Sequence, residues 1–168
     1  MKVSIRALLS AAAIVFLTLT MARTAKPQAQ AMIQDGFKTV NGVKLHYLFV
    51  GKGEPVILLH GYAQNSHMWR PLMVELARTR LVIAPDLRGF GQSSKPNGGY
   101  DKKTMAQDIH ALALSLGFKR ASVVGHDIGL MVAFAYAAQY PTEVERIALM
   151  DAFLPGVGDW KTVWLLRD

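Results

Sequence analysis

The chain has 168 residues, enough for one domain of ordinary size. Hydrophobic residues make up 51% of it and charged residues 18%, which excludes a disordered, collagen-like or low-complexity protein. It has no cysteine, so disulfides, a thiolate nucleophile and a cysteine zinc site are excluded. The net charge of +7 falls mostly in the first 31 residues, which hold four basic and no acidic residues; the remainder holds 15 basic and 12 acidic ones. No basic stripe is left for a phosphate backbone, and we expect no nucleic-acid partner.

The N-terminal segment has the pattern of an export signal. Lys2 and Arg6 precede an apolar run over residues 7–21, and a small-x-small cleavage site, Ala-Gln-Ala, follows. The run is shorter than the about 20 residues that a membrane-spanning helix needs. We therefore predict a signal peptide over residues 1–31, a mature domain over residues 32–168, a periplasmic or secreted location and no stable membrane insertion. The alternative is a protein anchored in the membrane by the apolar run.

Apolar runs and helical periodicities alternate along the rest of the chain. Strands are predicted at residues 43–50, 55–60, 81–84, 121–124 and 144–150, and helices at residues 67–78, 102–116 and 128–139. Residues 56–59 are continuously apolar, as expected of a strand that is buried on both faces. This alternation predicts the α/β fold class, with a mostly parallel sheet covered by helices on both faces.

Residues 125–129, Gly-His-Asp-Ile-Gly, carry the densest chemical signal. They lie between a predicted strand and an apolar helix, which is the setting of a nucleophile elbow, and the flanking glycines permit a sharp turn. The turn would present Asp127 at the C-terminal edge of the sheet, where ligands bind in open α/β folds. A carboxylate can attack saturated carbon there and form an alkyl ester that water then hydrolyses. The alternative is an aspartate that only caps the helix.

Three ordered segments resemble the α/β-hydrolase superfamily, in particular its aspartate-nucleophile branch of epoxide hydrolases and dehalogenases. They are residues 60–69 (HGYAQNSHMW), residues 84–96 (APDLRGFGQSSKP) and the Gly-His-Asp-Ile-Gly elbow. The resemblance implies an α/β-hydrolase fold and a reaction with no metal and no organic cofactor. It also implies that Asp127 is the nucleophile and that the backbone N–H groups of Tyr62 and Ile128 form an oxyanion hole.

Departures from the family patterns favour one part of this branch. Haloalkane dehalogenases usually have a halide-binding tryptophan where this chain has Ile128, and fluoroacetate dehalogenases have arginines where it has Ile128 and Met131. Secreted bacterial epoxide hydrolases of the channel-inhibitory-factor type are similar in three features: an export signal, an H-D-I-G elbow and no proline after the H-G-aromatic triplet. The resemblance therefore implies an epoxide hydrolase with a small-molecule epoxide substrate. The alternative is a haloalkane or haloacid dehalogenase with an organohalide substrate; a serine esterase would need a G-x-S-x-G motif, which is absent.

The resemblance also implies partners for the nucleophile. In part of the branch the catalytic acid ends the strand that corresponds to residues 144–150, which makes Asp151 the candidate; a solvated strand-end aspartate is the alternative. His60 is expected to brace its loop, and His126 to pack in the core. The family histidine comes near the end of a longer chain, and a cap domain, whose tyrosines protonate the epoxide oxygen, begins just after position 155. We therefore expect an incomplete fold that lacks the cap domain and the C-terminal strands, and an inactive fragment; a truncated, catalytically inactive hydrolase-like protein is a further alternative.

Overall fold

The computed structural model describes residues 32–153. The predicted signal peptide and the predicted start of the cap domain lie outside these residues. The strands are β1 (Gln34–Val40), β2 (Val43–Gly51), β3 (Pro55–Leu59), β4 (Leu81–Pro85), β5 (Ala121–His126) and β6 (Val144–Met150). The helices are a 3-10 helix (Ser66–Trp69), α1 (Arg70–Leu76), α2 (Lys102–Ser115) and α3 (Ile128–Gln139).

The six strands form one sheet in the order β1-β2-β4-β3-β5-β6. The strand β1 pairs antiparallel with β2, and β2 pairs antiparallel with β4. The remaining pairs, β3 with β4, β3 with β5 and β5 with β6, are parallel. The prediction of a mostly parallel sheet is therefore confirmed, with the antiparallel strands gathered at one side of it.

The register of the parallel strands brings three loops to the same edge of the sheet. Leu59 at the end of β3 lies opposite Gly125 of β5, and His126 of β5 lies opposite Met150 of β6. Because these strands run in the same direction, the residues that follow them emerge side by side. This edge is where open α/β sheets place their ligand sites.

Helices cover both faces of the sheet, as predicted. The alternating side chains of β3 divide between two cores: Val56 and Leu58 pack in the core that contains Met73 of α1, and Ile57 packs in the core that contains Ile109 of α2. The helix α3 joins the second core. A strand with both faces covered explains why residues 56–59 are apolar without interruption.

Two further features bear on the surface. The strand β6 is the last strand of the sheet in the described part of the chain, and its apolar residues Ile147, Leu149 and Met150 are exposed. Within residues 32–153, no helix is long and apolar enough to cross a membrane. The predicted anchor at residues 7–21 lies outside the described residues.

Candidate active site

The turn between β5 and α3 has an unusual backbone. Asp127 has φ +51° and ψ −120°, the conformation of the first central position of a type II′ turn, which usually holds glycine. A non-glycine residue held there costs of order 1–3 kcal/mol. The two flanking glycines are required by close approach, because a Cβ at Gly125 would collide with the carbonyl of Gly129, and one at Gly129 with the backbone of β3. The glycine spacing thus produces the sharp turn that the sequence predicts.

The carboxylate of Asp127 contacts a distant segment and does not cap the helix that it precedes. The structure shows no capping hydrogen bond from its side chain to α3. Instead, Oδ2 accepts a hydrogen bond of 2.8 Å from the backbone N–H of Tyr62. Ile128 is the first residue of α3, so its N–H has no partner within the helix. The contact of the Asp127 carboxylate with the Tyr62 N–H is therefore the one expected of an oxyanion-hole arrangement. A carboxylate that caps α3 would instead accept from an N–H of that helix.

The loop after β3 is held by two side chains. His60 is fully buried; its Nδ1 lies 2.9 Å from the Gly61 carbonyl oxygen, and its Nε2 lies 3.0 Å from the Leu87 nitrogen. Because the Leu87 N–H can only donate, Nε2 must be the acceptor, and Nδ1 carries the proton that is donated to Gly61. Burial lowers the pKa of His60, although the Gly61 hydrogen bond and the charge of Asp86 oppose this shift. Gln64 holds the other end of Gly61, since its Oε1 accepts from the Gly61 N–H at 2.9 Å.

Asp86, directly after β4, connects three segments beneath this loop. Its Oδ1 accepts from the Ser66 N–H at 2.7 Å, and its Oδ2 accepts from the Gln92 N–H at 2.8 Å and lies 2.9 Å from His46 Nδ1. Burial raises the pKa of Asp86, but the hydrogen bonds from Ser66, Gln92 and His46 outweigh burial and lower it below the usual value. The buried carboxylate therefore stays charged and fixes the start of the 3-10 helix and the glycine turn after β4.

Asp151 follows β6 and shares a positive φ, +62°, with Asp127. Its carboxylate is largely exposed, and Oδ2 lies 3.2 Å from Nε2 of His126. The expectation that His126 packs in the core is wrong: its side chain is partly exposed, and its ring contacts Asp151, which follows the neighbouring strand β6. The structure thus places Asp127 and Asp151 at the ends of neighbouring parallel strands, with His126 in contact with Asp151.

Several contacts at the site were not predicted from the sequence. Two of them are the hydrogen bond from Gly61 to Gln64 and the pairing of His126 with Asp151. The first joins residues three apart in an irregular loop, for which no periodicity exists. The second depends on the register of two strands, which local patterns leave open. Among the described residues, no group of three or more His, Asp or Glu side chains is arranged to hold a metal ion.

The sequence profile of the alpha/beta hydrolase fold matches residues 54–166, which is more than half of the chain. The chain therefore belongs to the α/β-hydrolase fold family. It is similar to the soluble epoxide hydrolase of Corynebacterium sp. (strain C12), with 45% identity over 118 residues, which are 70% of this chain and 41% of that protein. It is also similar to the fluoroacetate dehalogenase of Burkholderia sp., with 38% identity over 117 residues, which are 67% of this chain and 38% of that protein.

Solved structures show the same relationship. The epoxide hydrolase CorEH has a TM-score of 0.70 and 37% identity, and the match covers 82% of this chain and 56% of that chain. Cfl2 from Burkholderia cenocepacia has a TM-score of 0.72 and 39% identity, with 79% and 45% covered. The predicted fold and the resemblance to epoxide hydrolases are confirmed at this level. The chain spans about two fifths of the length of the curated relatives named above.

Proposed function

We propose that this chain carries the nucleophile of a hydrolase that opens epoxides through an alkyl ester on Asp127. The observation that supports the proposal best is the contact of the Asp127 carboxylate with the Tyr62 N–H, in a strained turn at the C-terminal edge of the sheet. Strained backbone of this kind is concentrated at functional sites. The similarity to proteins described as epoxide hydrolases supports the choice of substrate class.

The contacts of Asp127 support different roles for its two carboxylate oxygens in this proposal. Oδ2 faces Tyr62, so Oδ1 attacks an epoxide carbon; the carbon–oxygen bond of the ring breaks, and the released oxygen takes a proton from a general acid. Water then loses a proton to a general base and adds to the ester carbonyl carbon. Negative charge develops on Oδ2, toward which the N–H groups of Tyr62 and Ile128 would donate. Collapse of this intermediate breaks the bond between the carbonyl carbon and the alkyl oxygen, and the leaving oxygen takes the proton that the base removed from water, which releases a diol. The remaining proton of the new carboxyl group replaces the one that the general acid gave up, which restores the Asp127 carboxylate.

Asp151 is proposed as the acid that orients the histidine acting as general base. It follows the strand next to that of Asp127, and it is also held at positive φ, which is uncommon outside glycine. Its largely exposed carboxylate is free to accept from a further imidazole while one oxygen contacts His126.

The proposed domain division, with a signal peptide over residues 1–31 and export from the cytoplasm, is supported by the sequence pattern alone.

Dehalogenation is a second candidate, since the fluoroacetate dehalogenase of Burkholderia sp. is a relative at 38% identity. The same carboxylate would displace halide from carbon, and the ester would be hydrolysed in the same way. The two reactions are separated by their products. Release of halide from an organohalide favours this candidate, and formation of a diol from an epoxide favours the first.

Covalent trapping tests the nucleophile. The whole protein, with its general acid and general base, is incubated with a small aryl epoxide, and peptide mass spectrometry locates the adduct. One epoxide mass is expected on Asp127; it should be absent from Asp127→Ala and retained in Asp101→Asn, whose carboxylate caps α2 at a distance in sequence from the elbow. Under turnover in oxygen-18 water, the Asp127 carboxylate should gain the label, because water attacks the ester carbonyl. An adduct distributed over several carboxylates, or none on Asp127, would contradict the proposal.

A further inference from the structure

We propose that His60 is a positioning residue that aims the Tyr62 N–H at the Asp127 carboxylate by holding the carbonyl of the same peptide unit. The geometric part of this inference stands on the contacts of His60, and its catalytic consequence rests on the proposed function. It goes beyond the expectation that His60 only braces its loop.

The Gly61 carbonyl and the Tyr62 N–H are the two ends of one planar peptide group. At the carbonyl end, the oxygen accepts from His60 Nδ1 at 2.9 Å and from the Gln64 N–H at 3.3 Å. At the other end, the N–H donates to Asp127 Oδ2 at 2.8 Å. Because the group is rigid, a rotation that misdirects the N–H also breaks the bond to His60. Holding the carbonyl therefore fixes the direction of the donor.

The His60 ring is itself fixed on its far side. Its Nε2 accepts from the Leu87 N–H at 3.0 Å, and the Phe90 ring packs against it edge to face with centroids 5.3 Å apart. A continuous series of hydrogen bonds thus runs from Leu87 through the ring and the peptide to Asp127. Hydrogen bonds in such a series polarise one another, so donation to the Gly61 carbonyl strengthens the Tyr62 N–H as a donor.

The alignment of this N–H matters most in the second chemical step. Charge on Oδ2 decreases when the carboxylate becomes an ester, and it returns when water adds to the ester carbonyl. A donor fixed toward Oδ2 therefore favours ester hydrolysis more than ester formation. Loss of the His60 bond should let the alkyl ester accumulate on Asp127.

Two substitutions distinguish a residue that orients the Tyr62 N–H from one that only stabilises the loop. In His60→Asn the amide nitrogen takes the place of Nδ1 and can donate to Gly61, but the side chain is too short to reach Leu87. In His60→Gln the amide oxygen reaches the position of Nε2 and can accept from Leu87, but no donor faces the Gly61 carbonyl. A residue that only braces the loop would give losses that follow the stability of each variant. A positioning residue gives a larger functional loss in His60→Gln than in His60→Asn.

Nuclear magnetic resonance of the full chain tests the geometry without turnover. Long-range proton–nitrogen spectra should show His60 as the neutral Nδ1–H tautomer. The Tyr62 amide proton, bonded to a carboxylate, should move upfield in His60→Gln and in Asp127→Ala and should change little in His60→Asn. An Nε2–H tautomer, or an unmoved Tyr62 amide in His60→Gln, would overturn the inference. If His60→Gln does not fold, the tautomer and the response to Asp127→Ala decide the question.

Rate measurements then test the catalytic consequence. In His60→Gln we expect hydrolysis of the Asp127 adduct to slow about tenfold or more, approaching the 10²–10³-fold loss typical for removal of one oxyanion donor. The rate of adduct formation and kcat/KM should change little, KM should fall together with kcat as the ester accumulates, and His60→Asn should recover most of the hydrolysis rate. Equal losses in both steps, or no recovery in His60→Asn, would refute the role of His60. Absence of any adduct in the whole protein with His60 unchanged would instead refute the proposed function and leave the resonance result standing.

Discussion

The strained turn at Asp127 predicts an inverted order of stability between two small substitutions. Glycine usually destabilises a protein relative to alanine, because it loses more conformational freedom on folding. At φ +51° and ψ −120° the alanine Cβ retains the strain that the aspartate carries, and glycine does not. We expect Asp127→Gly to be more stable than Asp127→Ala, and the proposed mechanism predicts that neither variant forms an adduct.

The size of the difference follows from two opposing terms. Relief of strain favours glycine by about 1–3 kcal/mol. The greater freedom of glycine in the unfolded chain opposes this by about 0.4–1 kcal/mol. The hydrogen bond from Tyr62 is lost in both variants and cancels. The net preference for glycine therefore lies between about 0 and 2.6 kcal/mol, with a central value of about 1.3 kcal/mol.

Urea unfolding of the two variants measures this difference, provided that the slope against urea concentration is the same in both. The matched control is the pair Lys103→Gly and Lys103→Ala in the exposed first turn of α2, where alanine should be the more stable by up to about 1 kcal/mol. If Asp127→Ala equals or exceeds Asp127→Gly in stability, the strain argument is wrong. The proposal that Asp127 is the nucleophile would then lose the strained turn as its structural support.

Three further perturbations have expected outcomes. In urea unfolding, Asp86→Asn should lower the free energy of unfolding by about 2–4 kcal/mol, because the amide cannot accept from all of the donors that face the carboxylate. The control Asp101→Asn, at an exposed helix cap, should be nearly neutral in the same assay. The folded-state pKa of His60 lies below its ordinary 6.5, so its contribution to stability is present above pH 6.5 and is lost as the pH falls through the folded-state pKa. When urea midpoints are measured at a series of pH values below 6.5, they should fall less steeply with decreasing pH in His60→Asn than in the parent chain. Ile147→Lys on the exposed strand β6 should reduce self-association measured by light scattering, and association as strong as in the parent chain would show that another surface is responsible.

The elements that the sequence predicts well are those whose local pattern matches their burial. The continuous apolar run of β3 and the apolar helix α3 sit in the cores that such runs favour. The strand β1 was not predicted because Gln34–Val40 is largely exposed and only Val40 is buried, so its seven residues carry little hydrophobic signal. Its pairing with β2 decides its structure, and pairing is a tertiary contact. The predicted helix over residues 67–78 became a 3-10 helix followed by α1, with a proline in the first turn of α1, where its missing N–H leaves no bond unmade.

The site divides in the same way. The spacing of Gly125 and Gly129 around Asp127 is a local pattern, and it was sufficient to predict the sharp turn. The contact between Tyr62 and Asp127 joins residues 65 apart and followed only from the resemblance to a family. The contact between His126 and Asp151 follows from the register of β5 and β6, which no local pattern contains.

The buried polar groups explain how the loops at this edge can carry strain. The Tyr62 N–H keeps its direction toward the Asp127 carboxylate only if its peptide plane does not rotate, yet the loops after β3 and β4 have no ladder of sheet hydrogen bonds to hold them. The buried side chains of His60 and Asp86 hold these loops in place by hydrogen bonds, and both side chains have their own hydrogen bonds satisfied within the fold. A buried group of this kind is costly only when a partner is missing. Substitution of His60 should therefore disturb the peptide between Gly61 and Tyr62 directly, and substitution of Asp86 should disturb it indirectly, through the start of the 3-10 helix at Ser66. A cavity of similar cost in the core beneath α1 should lower stability and leave the direction of the Tyr62 N–H unchanged.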